Sequence, residues 1–585
     1  MSITALIMLL STGSTLAFPT GTASVYDSDP GRLLPDENSV VSGDPVDHCI
    51  ETTPGAPPVM SGWPQTMNIN SWYPATGVVL ADLEGDGDLE VLAGSTDNNF
   101  YAWDHLGVPL SGWPVNMGGQ VQSKAAVADL DGDGDLEILI AVKNGYLHVL
   151  HHDGSPMTGW PQYSGLTYGF ISPSLYNLTG DATPEILISG GSTITAWHPD
   201  GSIFWQTSVS ASVTGTLAIG DAGGDDNPEI AAVTLDGKLH LLHHDDGTTV
   251  PGWPVTFGLS NSWAAPSIGD MDNDGDRELA VVGYEFSEYT SIFVYHGDGT
   301  PLSGYPVTWN SLQTFSCPVL ADLDGDGNLE LLNAGKASPA PEAFYAWDHT
   351  GVILPGWPVD ADPNMEGSAI IADVDGNPGL EILIGDNWGP GEIFGYHPDG
   401  SDMEGFPIPK YGASIPNSPE LADVDQDGDL DMAMTMTQGQ EMAYVALWDF
   451  PGAATPEAIE WGGLFHDNWN TNQYGFVVPT GPGGVHAPET GVASGSLLRA
   501  TPNPFHTTAL LSFTLYEPQQ VSIRIYDSSG RLVRVLLDDE ICSAGAGSAE
   551  WDGMDGFGRE VGRGLYLARL ETLTCTEAQY ITLLR

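Results

Sequence analysis

The stretch DLDGDGDLEILIAV at 129–142 sets carboxylates on alternate positions and then runs into the apolar residues of a buried strand, and the chain returns to this pattern at near-regular intervals. Loops of the same kind begin at Asp82, Asp129, Asn177, Asp221, Asp270, Asp322, Asp373 and Asp423, with steps of 47, 48, 44, 49, 52, 51 and 50 residues. A period of about 50 residues implies one supersecondary unit repeated in a stack or a ring. Within a unit the text reads as four short strands: KAAVADL before the acidic loop, EILIAV after it, then GYLHVLHH and MTGWPQY. HDG, PDG and GDG between the third and fourth are hairpin signals. Four strands per ~50 residues predict a β-propeller blade. Small-residue strands such as AAVA suit the crowded centre, and the aromatic GWP segments suit the wider rim. Trp63, Trp113, Trp160, Trp253 and Trp357, with Tyr305 and Phe406 in the same place, read as packing between blades rather than as sugar platforms.

Eight acidic loops predict eight blades over 57–475, with PPVMSGWPQTMN at 57–68 supplying the last blade with the strand it lacks. Closing the ring in this way removes exposed sheet edges. The segment IEWGGLFHDNWNTNQYG at 459–475 is a second source for that strand, which leaves seven blades as the alternative.

The loop chemistry points to a hard cation. In the second loop Asp129, Asp131 and Asp133 hold positions one, three and five, Asp135 holds position seven and offers its carbonyl, and Glu137 closes at position nine with two oxygens. Alternating oxygen donors around a sharp glycine turn suit calcium, whereas soft metals favour Cys or His and magnesium dehydrates reluctantly. The corresponding candidates are Asp82, Glu84, Asp86, Asp88 and Glu90 in the first loop, and Asp270, Asp272, Asp274, Asp276 and Glu278 in the fifth. The sixth offers Asp322, Asp324, Asp326, Asn328 and Glu330, the seventh Asp373, Asp375, Asn377 and Glu381, and the eighth Asp423, Asp425, Asp427, Asp429 and Asp431. The third (Asn177, Thr179, Asp181) and fourth (Asp221, Gly223, Asp225) are too depleted to hold an ion. An EF-hand closes at position twelve between helices; here closure falls at nine between strands.

The pattern DxDxDGxxD, met in full by Asp423, Asp425, Asp427, Gly428 and Asp431, resembles the calcium loops of integrin α-subunit propellers and of the bacterial FG-GAP/VCBS repeat family. That resemblance spans 57–475 and implies several calcium ions that pin the blades without doing chemistry.

A net charge of −63 opposes binding to nucleic acid. The opening MSITALIMLLSTGSTLA reads as a signal peptide over 1–17, too short to span a bilayer, with a linker at 18–56. Nothing later is long and apolar enough to cross a membrane. The cysteines at 49, 317, 542 and 575 show no CxxC pairing; Cys542 and Cys575 fall in one domain, as a disulfide or as two free thiols.

After a Pro/Gly-rich linker at 476–495, eight of the 15 basic residues lie from Arg499 onward. Short strands through 496–585 predict a small β-sandwich. Asn503-Pro504-Phe505, VSIRIYDSSGRLV and WDGMDGFGREVGRGLYLARL resemble the FlgD Ig-like and type IX secretion sorting domains of Gram-negative bacteria. The resemblance implies recognition by the outer-membrane export machinery and a final place in the medium or on the outer cell surface.

Two functions compete on these residues. The first is a non-catalytic binding or adhesion module whose partner is a glycan or a surface protein. The second is a polysaccharide lyase, which needs a base and a cation facing the uronate carboxylate. Lys124, Lys143, Lys238, Arg277, Lys336 and Lys410 are the fixed cations of 57–475, and no HExxH or GxSxG motif occurs. No catalytic residue is assigned, and the binding module is preferred. Histidines 105, 151, 152, 198, 243, 244, 296, 349 and 397 recur beside the third-strand turn and read as turn supports.

Overall fold

The computed structural model describes residues 55–70, 77–478 and 498–584, apart from short stretches within the last two ranges. The signal peptide, its linker and Cys49 lie outside the described residues, as do Asp181, Lys410, Cys575 and 479–497. Every described element is a strand except for isolated turns.

From 65 to 453 the strands form eight four-stranded antiparallel sheets in a β-propeller. In the second sheet Ala126–Ala128 and Glu137–Val142 are wholly buried, Tyr146–Leu150 is partly so, and Gln162–Tyr163 is a two-residue rim strand. This gradient follows the sequence. Alanines allow close approach at the centre, and β-branched and leucine side chains fill both faces of the second strand. The rim differs from expectation, because GWP belongs to the turn that precedes the strand. Gly159 there takes φ 99°, and proline has no N–H for the ladder. An added Cβ at Gly159 would lie 2.2 Å from the Asp200 carbonyl oxygen of the next sheet.

The aromatic of each turn ties neighbouring sheets together. The indole Nε1–H of Trp160 donates to Pro199 O (2.8 Å), that of Trp253 to Gly297 O (2.8 Å) and that of Trp357 to Pro398 O (2.8 Å), while Tyr305 donates its hydroxyl to Asp348 O (3.1 Å). The third sheet has no GWP, yet Trp205 in its outer strand Ile203–Ser208 donates to His244 O at 2.7 Å. Only its spacing, 39 residues before His244, marks it in the sequence. Trp205→Phe is expected to lower stability by about 1–3 kcal/mol through the lost bond and volume; denaturant unfolding measures this.

The strand Gln65–Asn68 pairs with Met442–Val445 and completes the eighth sheet. Val78, Leu80 and Val91 of the first sheet share one apolar cluster with Val424, Ala433 and Val445 of the eighth, and Trp63 donates to His105 O (2.9 Å) in the first. The ring is thereby closed.

The stretch 459–475 has a different job from a rim strand. Ile459–Trp461 adds a fifth, inner strand to the seventh sheet beside Ile370–Ala372. The chain then runs around the inner edges of the sheets. Gly462 O, Asn468 O, Trp469 O, Thr471 O and Asn472 O accept from the N–H groups of Leu421, Val127, Leu175, Ile219 and Ile268 in turn. The amides of Asn468, Asn470 and Asn472 donate to Leu80 O, to Ala125 and Pro173 O, and to Leu217 O. Inner-edge backbone groups that no ladder satisfies are thus paired. At the hub Asp467 accepts from Trp469 N, Thr471 N and Thr471 Oγ1. Lys124 Nζ reaches Glu420 (3.0 and 3.1 Å) and Asp467 O (3.2 Å) in full burial.

Residues 498–583 form two further antiparallel sheets, one of three strands and one of four. Leu511 and Trp551 of the first share a core with Ile523, Ile525, Ala568 and Ile581 of the second. Alternation in SIRIYD and LYLARLE turns one face of each strand inward. The strand Leu498–Thr501 opens the three-stranded sheet. The pairing of Cys542 with Cys575 lies outside the described residues. Cys317 is a buried free thiol.

Candidate metal centres

Each acidic loop is folded by its own carboxylates. Position one accepts from the N–H groups of the turn: Asp270 Oδ1 from Asp274 N (3.1 Å) and Oδ2 from Gly275 N (3.0 Å), with Asp82 doing the same for Asp86 and Gly87. Position five accepts from position seven, as Asp133 Oδ1 does from Asp135 N (3.1 Å). Position nine reaches back to the N–H of position two in all eight loops: Leu83 to Glu90, Leu130 to Glu137, Leu178 to Glu185, Ala222 to Glu229, Met271 to Glu278, Leu323 to Glu330, Val374 to Glu381 and Val424 to Asp431, at 2.7–3.1 Å. The turn needs a left-handed residue at position four. Gly132 supplies it at φ 77°, where an added Cβ would meet nothing, so conformation rather than space selects glycine. Asn273 and Gln426 take the same region at 54° and 56°.

These bonds gather the sequence candidates. Ligand atoms of Asp129, Asp131 and Asp133 lie within 4.8 Å of one another, as do those of Asp270, Asp272 and Glu278, of Asp322, Asp324 and Glu330, and of Asp373, Asp375 and Glu381. The position-seven side chains point elsewhere: Asp88 meets His105 Nδ1 (3.3 Å) and Asp135 meets His152 Nδ1 (3.2 Å). At position nine Oε2, or Oδ2 of Asp431, accepts this backbone N–H and keeps a second lone pair, so the bond does not use up the carboxylate.

Four of the histidines close the third-strand turn through their backbone, as expected, and in addition face the loop of their own sheet. Their Nδ1 atoms lie 2.9 Å (His151–Glu137), 3.2 Å (His198–Glu185), 2.9 Å (His296–Glu278) and 3.3 Å (His397–Glu381) from Oε1 of position nine. The signal was their recurrence 13–18 residues after that glutamate.

Burial dominates the electrostatics. Desolvation lifts the Glu90 carboxyl to about 8, with Asp86, Asp82 and Glu84 adding to it. Asp431 likewise rises to about 8, and Glu278, Glu330 and Glu381 to about 7. Desolvation also raises Asp270, Asp322, Asp373 and Asp423. Asp272 Oδ1 and Asp423 Oδ1 are screened from water and lack any hydrogen-bond partner. Oxygen donors that are buried, crowded and left unpaired fit a hard divalent cation. In the depleted loops the glutamate is used up internally: Glu185 accepts from Thr179 N and Oγ1, and Glu229 from Gly223 N.

The loops also touch one another. Leu89 N donates to Val424 O (3.0 Å), joining the first loop to the eighth, and Leu329 N to Met271 O (3.0 Å), joining the sixth to the fifth.

No curated protein sequence matches the chain. Among solved structures, the Vibrio cholerae biofilm matrix protein Bap1 is 14% identical, with 74% of this chain and 96% of that one covered at a TM-score of 0.48. BamB from Moraxella catarrhalis is 15% identical (66% and 97% covered, TM-score 0.42), and Saccharomyces cerevisiae Sqt1 is 10% identical (68% and 100%, TM-score 0.46). In sequence, residues 82–140, 221–281 and 270–332 match the FG-GAP-like repeat. This chain is therefore a β-propeller that carries FG-GAP-like repeats.

Proposed function

We propose that the protein is an exported, eight-bladed propeller whose acidic loops bind calcium and which acts outside the cell as a non-catalytic binding or adhesion module. The supporting observation is the set of prefolded loops, in which buried carboxylates converge with no Lys or Arg ion pair to them among the described residues. Asp82, Asp86 and Glu90, Asp129, Asp131, Asp133 and Glu137, and their counterparts in the fifth to eighth loops would hold the ions. Calcium supplies charge neutralisation there, and the residues themselves fix the turn. Against the lyase alternative, three of the fixed cations are already engaged. Lys124 is sealed against Glu420, Lys238 lies on Asp236 at 2.7 Å, and Arg277 donates to Asp221 O.

Asp133 and Asp225 accept the same kind of turn N–H, from Asp135 and Asn227. Replacing either by alanine removes that bond, and Asp225→Ala also removes one from Asn227 Nδ2, so a calcium loss confined to Asp133→Ala reports the ion rather than the turn. Asp133→Ala is expected to weaken one calcium site about tenfold or more. Asp225→Ala should leave the calcium titration unchanged; equal effects would sink the division between loaded and empty loops. The catalytic alternative is tested by incubating the protein with uronate polymers and following unsaturated sugar ends. Their release would replace the binding reading.

The C-terminal sheets we assign to an Ig-like sorting domain. Deleting 496–585 should leave a propeller of normal melting temperature trapped in the periplasm. Fractionation that finds the truncated protein in the medium would remove the sorting role.

A further inference from the structure

In each sheet the acidic loop joins the first and second strands, so the turn between the second and third lies on the opposite face of the propeller. On that face the second sheet carries a feature its fold does not require. Tyr146, which opens the third strand, stands directly across the ladder from Tyr163, which ends the fourth. Their rings meet edge to face at 5.3 Å and 69°, and they are 41% and 67% exposed. A cross-strand aromatic pair could simply stabilise a short strand. The repeat provides its own control: the same ladder position is Asn99–Asn116 in the first sheet, Thr193–Ser208 in the third and Lys238–Thr256 in the fourth. These ladders form without aromatic rings.

The Tyr163 ring is also held in place. It lies over Gly145, where an added Cβ would come within 2.8 Å of Cε2. Polar groups belong to the same turn and the connection beside it: Asn144 accepts from Tyr146 N through Oδ1 (3.1 Å), and Lys143 Nζ lies 3.4 Å from Gln120 Oε1 of the first sheet's connection. Gly119 of that connection abuts Asn144, with 3.1 Å from an added Cβ to Asn144 Cβ. The patch is therefore continuous across two sheets.

We propose that Tyr146 and Tyr163, with Gln120, Lys143 and Asn144 around them, form a binding site for a neutral pyranose glycan, an inference that rests on the binding-module reading above. A pyranose presents a face of C–H bonds with slight positive charge, which matches the electron-rich face of an aromatic ring, and a rim of hydroxyls, which matches amides and an ammonium. Charge selects a neutral ligand: a chain of net charge −63 repels acidic polymers, and one lysine does not offset that. Size argues against a protein partner, since a stable interface takes ~800 Å² from each side and this patch is two rings with a narrow polar rim.

The test uses the whole protein in calcium, probed with an array of neutral glucans, mannans, galactans and N-acetylhexosamine polymers, uronate polymers and extracellular matrix proteins. The variant is Tyr146→Asn/Tyr163→Asn, the pair the first sheet uses in the same ladder, with Tyr163→Phe as the variant that keeps the ring. Retention on a neutral glycan that falls about tenfold or more in the double variant, and stays within a few-fold in Tyr163→Phe, is the expected result. Melting temperatures should be equal throughout. Undiminished glycan binding by the double variant overturns the site, and retention on matrix proteins or uronate polymers alone overturns the ligand class; both leave the binding-module reading standing. Cleavage of a bound polymer would overturn that reading as well.

Discussion

Removing calcium at pH 8 should lower the melting temperature of the propeller by about 9 °C, and the same treatment at pH 5 should change it little. Six loops, each at ten times its dissociation constant, contribute about 1.4 kcal/mol apiece, roughly 8 kcal/mol together. Unfolding some 400 residues carries an entropy of ~0.9 kcal/mol per degree, which gives the stated shift. The pH dependence follows from the closing carboxylates. Glu90 and Asp431 sit at about 8 and Glu278, Glu330 and Glu381 at about 7 in the folded, ion-free state, above the ordinary carboxylate value. The folded state therefore holds these protons more tightly than the unfolded chain. Their contribution is fully present below about 4.5 and is lost as pH rises through 7 to 8, so the ion-free propeller weakens toward alkaline pH. A bound cation takes over the neutralising role and reverses that slope. Calorimetry with calcium and with chelator at both pH values decides it; a chelator effect equal at pH 5 and 8, or absent at both, would sink the assignment.

Lys124→Met should be the most damaging single substitution in the ring, costing about 3–5 kcal/mol, because it leaves Glu420 buried without its counter-charge. Burial already lifts Glu420 to about 7 against the pull of the Lys124 ammonium. With a folded value above the ordinary one, the stability it carries disappears as pH rises through about 7, and the variant should lose more at pH 8 than at pH 5. Adding Glu420→Met should restore most of the loss, since an apolar pair of similar size needs no counter-charge. Denaturant midpoints in saturating calcium measure all of these. A single variant as stable as the parent at pH 8, or a double variant worse than the single, would show that the pair does not hold the hub.

Much of the ring was legible because the repeat shows each signal several times over. The second strand Glu137–Val142 coincides with its apolar run, and the closing role of Gln65–Asn68 followed from one surplus GWP and one missing fourth strand. The loop ligands were legible because alternation of carboxylates has one simple geometric meaning. What escaped the sequence depends on distance in the chain. His151 meets Glu137 only after the second and third strands pair, and Lys124 meets Glu420 across 296 residues. The inner path of 462–476 escaped for another reason. Its asparagines satisfy backbone groups of other sheets, and a polar stretch with no period of 2 or 3.6 carries no mark of burial.

That inner path and the closing strand also set the order of events when the chain is made. Gln65 must wait for Val445, and closing a loop of that length costs on the order of 5 kcal/mol in chain entropy before any contact forms. Asn468, Asn470 and Asn472 come later still, so the inner edges of the earliest sheets remain unpaired until the last turn of the propeller has been synthesised. A ribosome-bound chain therefore stays an open, unsealed ribbon for most of its synthesis. The native ring is sealed in one late step, and a nonsense truncation anywhere before residue 476 should release an open array of sheets rather than a smaller propeller.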